Sequence, residues 1–433
     1  MKPPRTLSSM SQDTDTLSSP LDDLTEMESS QMQVFSKSLS DSSLYKQIAT
    51  SLESTEYLGK KAREYIKVLD IPAYKEYNRP QWMRRLTQDD GTDFTIKKVF
   101  EAFFDGAEQV GLQEGLRYAY AATWTCLGFA KQGNLSEEGS MEVLAKELSR
   151  LGTAWVAFML WPFAPSNSNP SDVADSPLSE SATPTFENTG SQIDAGVGTR
   201  PDWRNNVLKR DKHTCPLTGF VSPTMPLDMR PPGAEVLDLE VAHVVDFSAI
   251  DYNAAKDKAS KTRSITMTLG MVRSYVGGME GDTFWAGLPE LLRGTENALL
   301  LEFYMHRAFA KFAWCLVEIA PNTYNVKWFD RSTVPSFFNI AEQVTFTDCS
   351  GESPGFAVPS ALLLRWHAAL AHVFYLSGAA GLFTNLHHPP GSNGPAVVSK
   401  SGADFMEHVV NYDGEAISQL AELTESVAAV VLG

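Results

Sequence analysis

The residues able to do chemistry concentrate between Trp203 and Phe329, in the runs RDKHTCPLTGF, LEVAHVVDFS, ENALLLEFYMHRAF and NTYNVKWF. His243 stands in an apolar, β-branched run, Asn297 lies near the start of the third run, and His306 follows it on a helical pattern. An imidazole titrates near pH 6.5, so it can take a proton from water at neutral pH or hold a metal ion through a ring nitrogen. The same histidine in an apolar strand can equally be a hydrogen-bonded core residue, and Asn297 after Glu296 can equally cap the helix that bears His306. Cys215 has no partner cysteine and reads as a small buried residue. His387 and His388, beside Pro389 and Pro390, read as solvated loop residues.

Other chemistries lack their parts. The sequence holds no G-x-S-x-G elbow, no G-x-x-x-x-G-K-[ST] loop, no G-x-G-x-x-G and no H-E-x-x-H;. The 36 Lys and Arg against 53 Asp and Glu leave a net charge of -17, which excludes coating of DNA by bulk charge;. The segment from Asp202 through Arg331 is nevertheless close to neutral, with 15 basic and 16 acidic residues. Its clusters Arg204, Lys209, Arg210, Lys212 and Lys256, Lys258, Lys261, Arg263 can contact phosphates or simply be solvated faces;. The four cysteines, Cys126, Cys215, Cys315 and Cys349, are dispersed and form no Cys-x-x-Cys pair, which implies a reducing, intracellular setting;. Nothing distinguishes nucleus from cytoplasm. No apolar run follows Lys2 and Arg5 as a secretory signal would require;. AWVAFMLWPF (Ala154 to Phe163) is too short to span a bilayer and reads as a buried helix end, and SALLLRWHAALAHVFYLSGAAGLF carries Arg365, His367 and His372 inside it, so no membrane span is expected;.

The elements that would position these residues divide the chain into five stretches. Residues 1–43 are Ser/Asp/Thr/Glu-rich and predict a disordered acidic tail, a possible contact for protein partners;. Residues 44–165 show helical periodicity, with Ser136 before Glu137 and Glu138 as a capped, acidic helix start;. Residues 166–199 predict a flexible linker;. In 200–335, CPLTGF and LDLEVAHVVDF predict an irregular hairpin around the Pro-rich MPLDMRPPG, and TYNVKWF a further strand after the turn-forming PN;. Residues 336–433 predict a mainly helical extension after a strand-like VTFT, with helices over ALLLRWHAALAHVFYLSG and EAISQLAELTESVAAVV.

The order of these runs resembles the HNH nuclease domain, in the divergent fungal branch where an RD-x-x-x-C-x-x-TG opening precedes an AHI-x-x-FS-like strand. DTFWAGLPELL, the N-x-L-x-L pattern followed by His, WHAALAHVFYLSGAA and the terminal YDGEAISQL are similar to that branch as well, as is the front half ending in TAWVAFMLWPF. The resemblance covers most of the chain outside tail and linker.

What the resemblance implies is an α+β fold: a helical amino-terminal region, a ββα-metal (HNH) module with an added β-hairpin, and a helical carboxy-terminal part, packed as one body. It implies a metal-dependent endonuclease that hydrolyses phosphodiester bonds in nucleic acid, DNA first. His243 then matches the general base, Asn297 the residue that bridges hairpin backbone and aims the imidazole, and His306 a metal ligand facing His243 across one ion. Mg²⁺ or Mn²⁺ suits such chemistry better than zinc. Arg204, Lys209, Arg210 and Lys212 would carry the nucleic-acid contact. The chain departs from the pattern at Ala242, Ala298, Tyr304 and Ala310, leaving Glu240, Asp246 or Glu302 as substitute ligands. The second expectation is therefore a catalytically degenerate module that serves as a binding or structural scaffold, and a third, on composition alone, is a helical interaction protein.

Overall fold

Helix starts along the front of the chain carry their own caps. Ser54 accepts from the Tyr57 amide at 3.2 Å to open α1 (Thr55–Tyr65), and α2 spans Gln81–Thr87. Thr95 accepts from Lys98 at 3.2 Å to open α3 (Ile96–Gln109), followed by α4 (Gln113–Lys131). The expected cap at Ser136 is present: its hydroxyl accepts from Gly139 at 3.1 Å and opens α5 (Glu137–Trp155);. The computed structural model describes residues 54–87, 94–131, 136–164, 200–245, 258–276, 288, 291–387 and 401–410. The expected tail (1–43), linker (166–199) and last helix (EAISQLAELTESVAAVV), with Asp246, Lys256 and His388, lie outside the described residues.

The α3 face made by Ile96, Val99, Phe100, Phe103, Phe104 and Ala107 is buried, and Trp155 of α5 packs between Phe100 and Phe103 with ring centroids 4.8 and 4.7 Å away. AWVAFMLWPF ends α5 as expected, in a wide turn (Val156–Leu160) and a tight one (Trp161–Phe163), all buried. Segments on the far side of 166–199 join the same core. Tyr275 of α7 (Lys258–Val276) donates its hydroxyl to the Phe103 carbonyl at 2.6 Å. Where α4 crosses α7, Gly115 lies so close to the Tyr275 carbonyl that a Cβ there would collide with it;. One core cluster runs from Leu58 to Val410.

The middle of the chain starts with α6 (Arg200–Arg210). A strand, β1 (Leu239–His243), then pairs antiparallel with β2 (Ala298–Glu302) in the register Leu239↔Glu302 to His243↔Ala298. Helix α8 (Phe303–Ala310) follows β2 directly. Next comes a hairpin, β3 (Trp314–Ala320) and β4 (Thr323–Trp328), closed by Pro321 and Asn322, the latter left-handed at φ 57°. The α+β class is thus observed: helices pack with small antiparallel sheets, two of them among the described residues. Helices α9 (Ala361–Ser377) and α10 (Ala379–His387) complete the described body with Gly402–Val410. No helix among the described residues is long and apolar enough to cross a membrane.

Two expectations are corrected. CPLTGF is a tight turn: Cys215 and Phe220 close it through a 2.9 Å backbone bond, and Gly219 takes φ +74°, which an extended strand cannot accommodate. Its flanking residues Thr214 and Val221 make isolated bridges, and the partner of LEVAH is ALLLE, far along the sequence. Hydrogen bonds cross residue 335: β5 (Gln343–Thr345) pairs with β4, and Cys349 donates its amide to the Arg210 carbonyl at 2.9 Å. His387 belongs to the end of α10 rather than to a loop.

Candidate functional site

Every residue of β2 is buried, which leaves the turn before it to hold polar groups only if each is satisfied;. Asn297, fully buried, does this completely. Its Oδ1 accepts from the Val245 amide at 2.9 Å, and its Nδ2 donates to the carbonyls of Val245 at 3.1 Å and Leu292 at 3.0 Å. The Asn297 carbonyl accepts from Val244 at 3.1 Å. The loop that follows His243 is therefore clamped by one side chain, which is the bridging role expected of Asn297. The alternative role is corrected: Asn297 does not cap the His306 helix, because β2 intervenes and Glu302 is the cap.

Glu302 accepts from the amides of Tyr304 at 2.8 Å and Met305 at 3.2 Å through one carboxylate oxygen. It is buried, and burial first, with nearby Glu240, pushes its pKa up, against the lowering effect of those amides;. His306 lies one turn into α8, mostly buried, and its Nδ1 meets Glu240 Oε2 at 2.6 Å. Glu240 is thus the substitute position that reaches His306.

His243 occupies the last residue of β1, and Trp203 of α6 stacks on its ring at 5.3 Å and 23°. Glu240 and His243 are three residues apart on one strand, so alternation sends them to opposite faces. The contacts that fix His306 and His243 therefore lie on different sides of β1, and the facing pair expected across one ion is not brought together by these contacts. Among the described residues no group of three or more His, Cys, Asp and Glu is placed to hold a metal ion.

The four expected phosphate-binding cations are mostly engaged in the protein. Arg210 is wholly buried: its guanidinium forks onto Asp211 through two 2.8 Å bonds and donates to the carbonyls of Thr295 at 2.7 Å, Ala298 at 3.0 Å and Ala357 at 3.3 Å;. As a nucleic-acid contact Arg210 is corrected to a brace for the Asn297 turn, since it grips the carbonyls on both sides of that residue. Arg204 donates to the Leu239 carbonyl at 3.3 Å, and Lys209 pairs with Glu352 at 2.8 Å on the surface. Lys212 is exposed on a left-handed backbone, φ 48°.

Sequence reasoning missed Trp203 as the neighbour of His243. A tryptophan forty residues upstream gives no periodic signal that ties it to a strand end. Cys215 is buried, as expected. Comparison with protein-family models, curated proteins and solved structures finds no match.

Proposed function

We propose that residues 200–335 carry an HNH-type module of nuclease descent that hydrolyses phosphodiester bonds in nucleic acid, with His243 as the base that takes a proton from water. The observation that carries this reading is the Asn297 clamp on Val245, in a strand–strand–helix order with His243 at the end of the first strand and His306 on the helix. The asparagine side chain spends two hydrogen bonds on the backbone just past one histidine and a third on Leu292, and it does so where that imidazole needs aiming;.

A divalent ion beside His306 would take the imidazole as its protein donor and fill its other positions with water and substrate phosphate;. With Nδ1 taken by Glu240, the ring's remaining donor is Nε2, and a carboxylate on the far nitrogen is the usual way a ligating imidazole is oriented;. Mg²⁺ keeps several waters and needs few protein groups besides substrate phosphate, whereas a structural zinc needs four protein donors. When bound, such an ion would stabilise charge on the phosphate and the leaving oxygen. The chain's own work is done by His243, held at the strand end by Trp203 and the Asn297 clamp, and by Glu240, which orients His306.

A second reading, a catalytically degenerate scaffold, is favoured by the opposite strand faces of Glu240 and His243 and by the engagement of Arg204, Lys209 and Arg210 within the protein. Calorimetry with Mn²⁺ and Mg²⁺ separates the two. The nuclease reading expects binding by the full chain that disappears in His306→Ala and weakens in Glu240→Gln. No binding by the unsubstituted protein would leave the scaffold reading standing.

A further inference from the structure

Large aromatic rings on a protein surface are costly to expose, and a continuous row of them needs an explanation. Such a row starts on the helix of the candidate site. Phe303 and Tyr304, in the first turn of α8, are 41% and 42% exposed, and their rings meet edge-to-face at 5.4 Å. Tyr304 meets Phe338 edge-on at 6.1 Å, and Phe338, itself buried, meets Phe337 at 5.1 Å, so that Phe338 links the exposed pair to Phe337, which is 82% exposed. A guanidinium stands at each end: Arg307 lies over the Phe303 ring at 5.3 Å, and Arg331 donates to the Phe338 carbonyl at 3.5 Å. Among the described residues neither arginine has a carboxylate partner.

Exposed rings beside guanidinium groups that have no carboxylate partner among the described residues, Arg307 over Phe303 and Arg331 over Trp328, match one ligand chemistry. Unpaired nucleobases stack on aromatic faces whatever their identity, and the intervening phosphates take arginine. Paired bases keep their faces buried in the duplex and cannot stack this way. The row adjoins the candidate site through Phe303, which stands three residues before His306 and so occupies a neighbouring position on the same helix;. We propose that this ridge binds an unpaired stretch of a nucleic-acid strand and leads it to the His306 side of the site. The inference rests on the nucleic-acid reading above and adds single-stranded substrate to it.

The test is fluorescence anisotropy of a labelled oligothymidylate and of a labelled hairpin duplex with the full chain in EDTA, so that no cleavage contributes. The expected result is tighter binding of the single strand, weakened about tenfold by Phe337→Ala and again by Tyr304→Ala, with Tyr304→Phe close to the unsubstituted protein. Equal affinity for both forms, or single-strand binding untouched by either alanine variant, overturns the ridge. So does a protein that binds neither oligonucleotide but runs as a dimer that Phe337→Ala dissociates, which would assign the rings to a protein contact. Because binding is read without metal, ridge-dependent binding by a chain that never cleaves would sink the nuclease reading alone. Cleavage unaffected by the alanine variants would sink the ridge alone.

Discussion

Arg210 and Ala298 are joined across the core: the buried guanidinium donates to the Ala298 carbonyl at 3.0 Å, one residue past Asn297. With its bond to Thr295 on the other side, Arg210 fixes the turn that clamps the loop after His243. A basic residue that sequence reasoning places on the nucleic-acid surface thus works from beneath the site.

Arg210→Met is expected to destabilise the protein by about 3–5 kcal/mol, because Asp211, itself nearly buried, loses its only fork partner and three carbonyls lose a donor;. Urea denaturation checks the size. Lys209→Ala, whose pair with Glu352 is exposed, should leave the midpoint within experimental scatter;.

Asn297→Ala should cost about 3 kcal/mol. The Val245 amide and the carbonyls of Val245 and Leu292 would be left without a partner in a buried turn, and each such loss is worth about 1–3 kcal/mol before relaxation;. Asn297→Asp keeps the acceptor but turns a carboxylate oxygen toward two carbonyls, so it should be no milder. A variant as stable as the unsubstituted protein by urea titration would contradict the clamp.

Gly115→Ala tests the crossing that ties α7 to the front helices. An added Cβ meets the Tyr275 carbonyl, a backbone atom that cannot swing aside, so a loss of at least about 2 kcal/mol is expected;. Gly381→Ala, with open space around its Cβ position, is the control and should unfold at the same denaturant concentration.

Acid should weaken the fold before the carboxylates titrate. Burial holds His367 down to about 3 and His372 to about 4 from the usual 6.5, against the raising effect of their bonds to the Phe309 and Ala368 carbonyls. The unfolded chain therefore binds protons that the folded one refuses. Stability is full above about pH 6.5 and falls as pH drops toward 4, by up to about 1.4 kcal/mol per pH unit for each histidine. Urea titrations at pH 7, 6 and 5 should show this slope, and His367→Gln with His372→Gln should flatten it; an unchanged slope in the double variant would refute the assignment.

Local signals carried the helical parts of the fold. Ser136 announced the start of α5, the apolar spacing of α3 marked its buried face, and the PN turn placed the β3–β4 hairpin. What depended on distant partners was not legible. LEVAH is equally apolar whether it pairs with CPLTGF or with ALLLE, and only the left-handed Gly219 turn and the register with β2 decide. Charge type likewise gave no hint that Arg210 faces inward while Lys212 faces out, because burial is set by the turn it braces. Of the site, Asn297 and its bridging role were legible; Trp203 against His243 and Glu240 against His306 were contacts that only folding brings together.

The most direct test of the central claim is cleavage of labelled single-stranded and duplex DNA by the full chain in Mn²⁺, beside His243→Ala of matched circular dichroism and urea midpoint. The account predicts metal-dependent cleavage that falls at least about a hundredfold in His243→Ala, the scale on which a positioned base contributes. Equal cleavage by the folded variant, or none by the unsubstituted protein with Mn²⁺ bound, would contradict it.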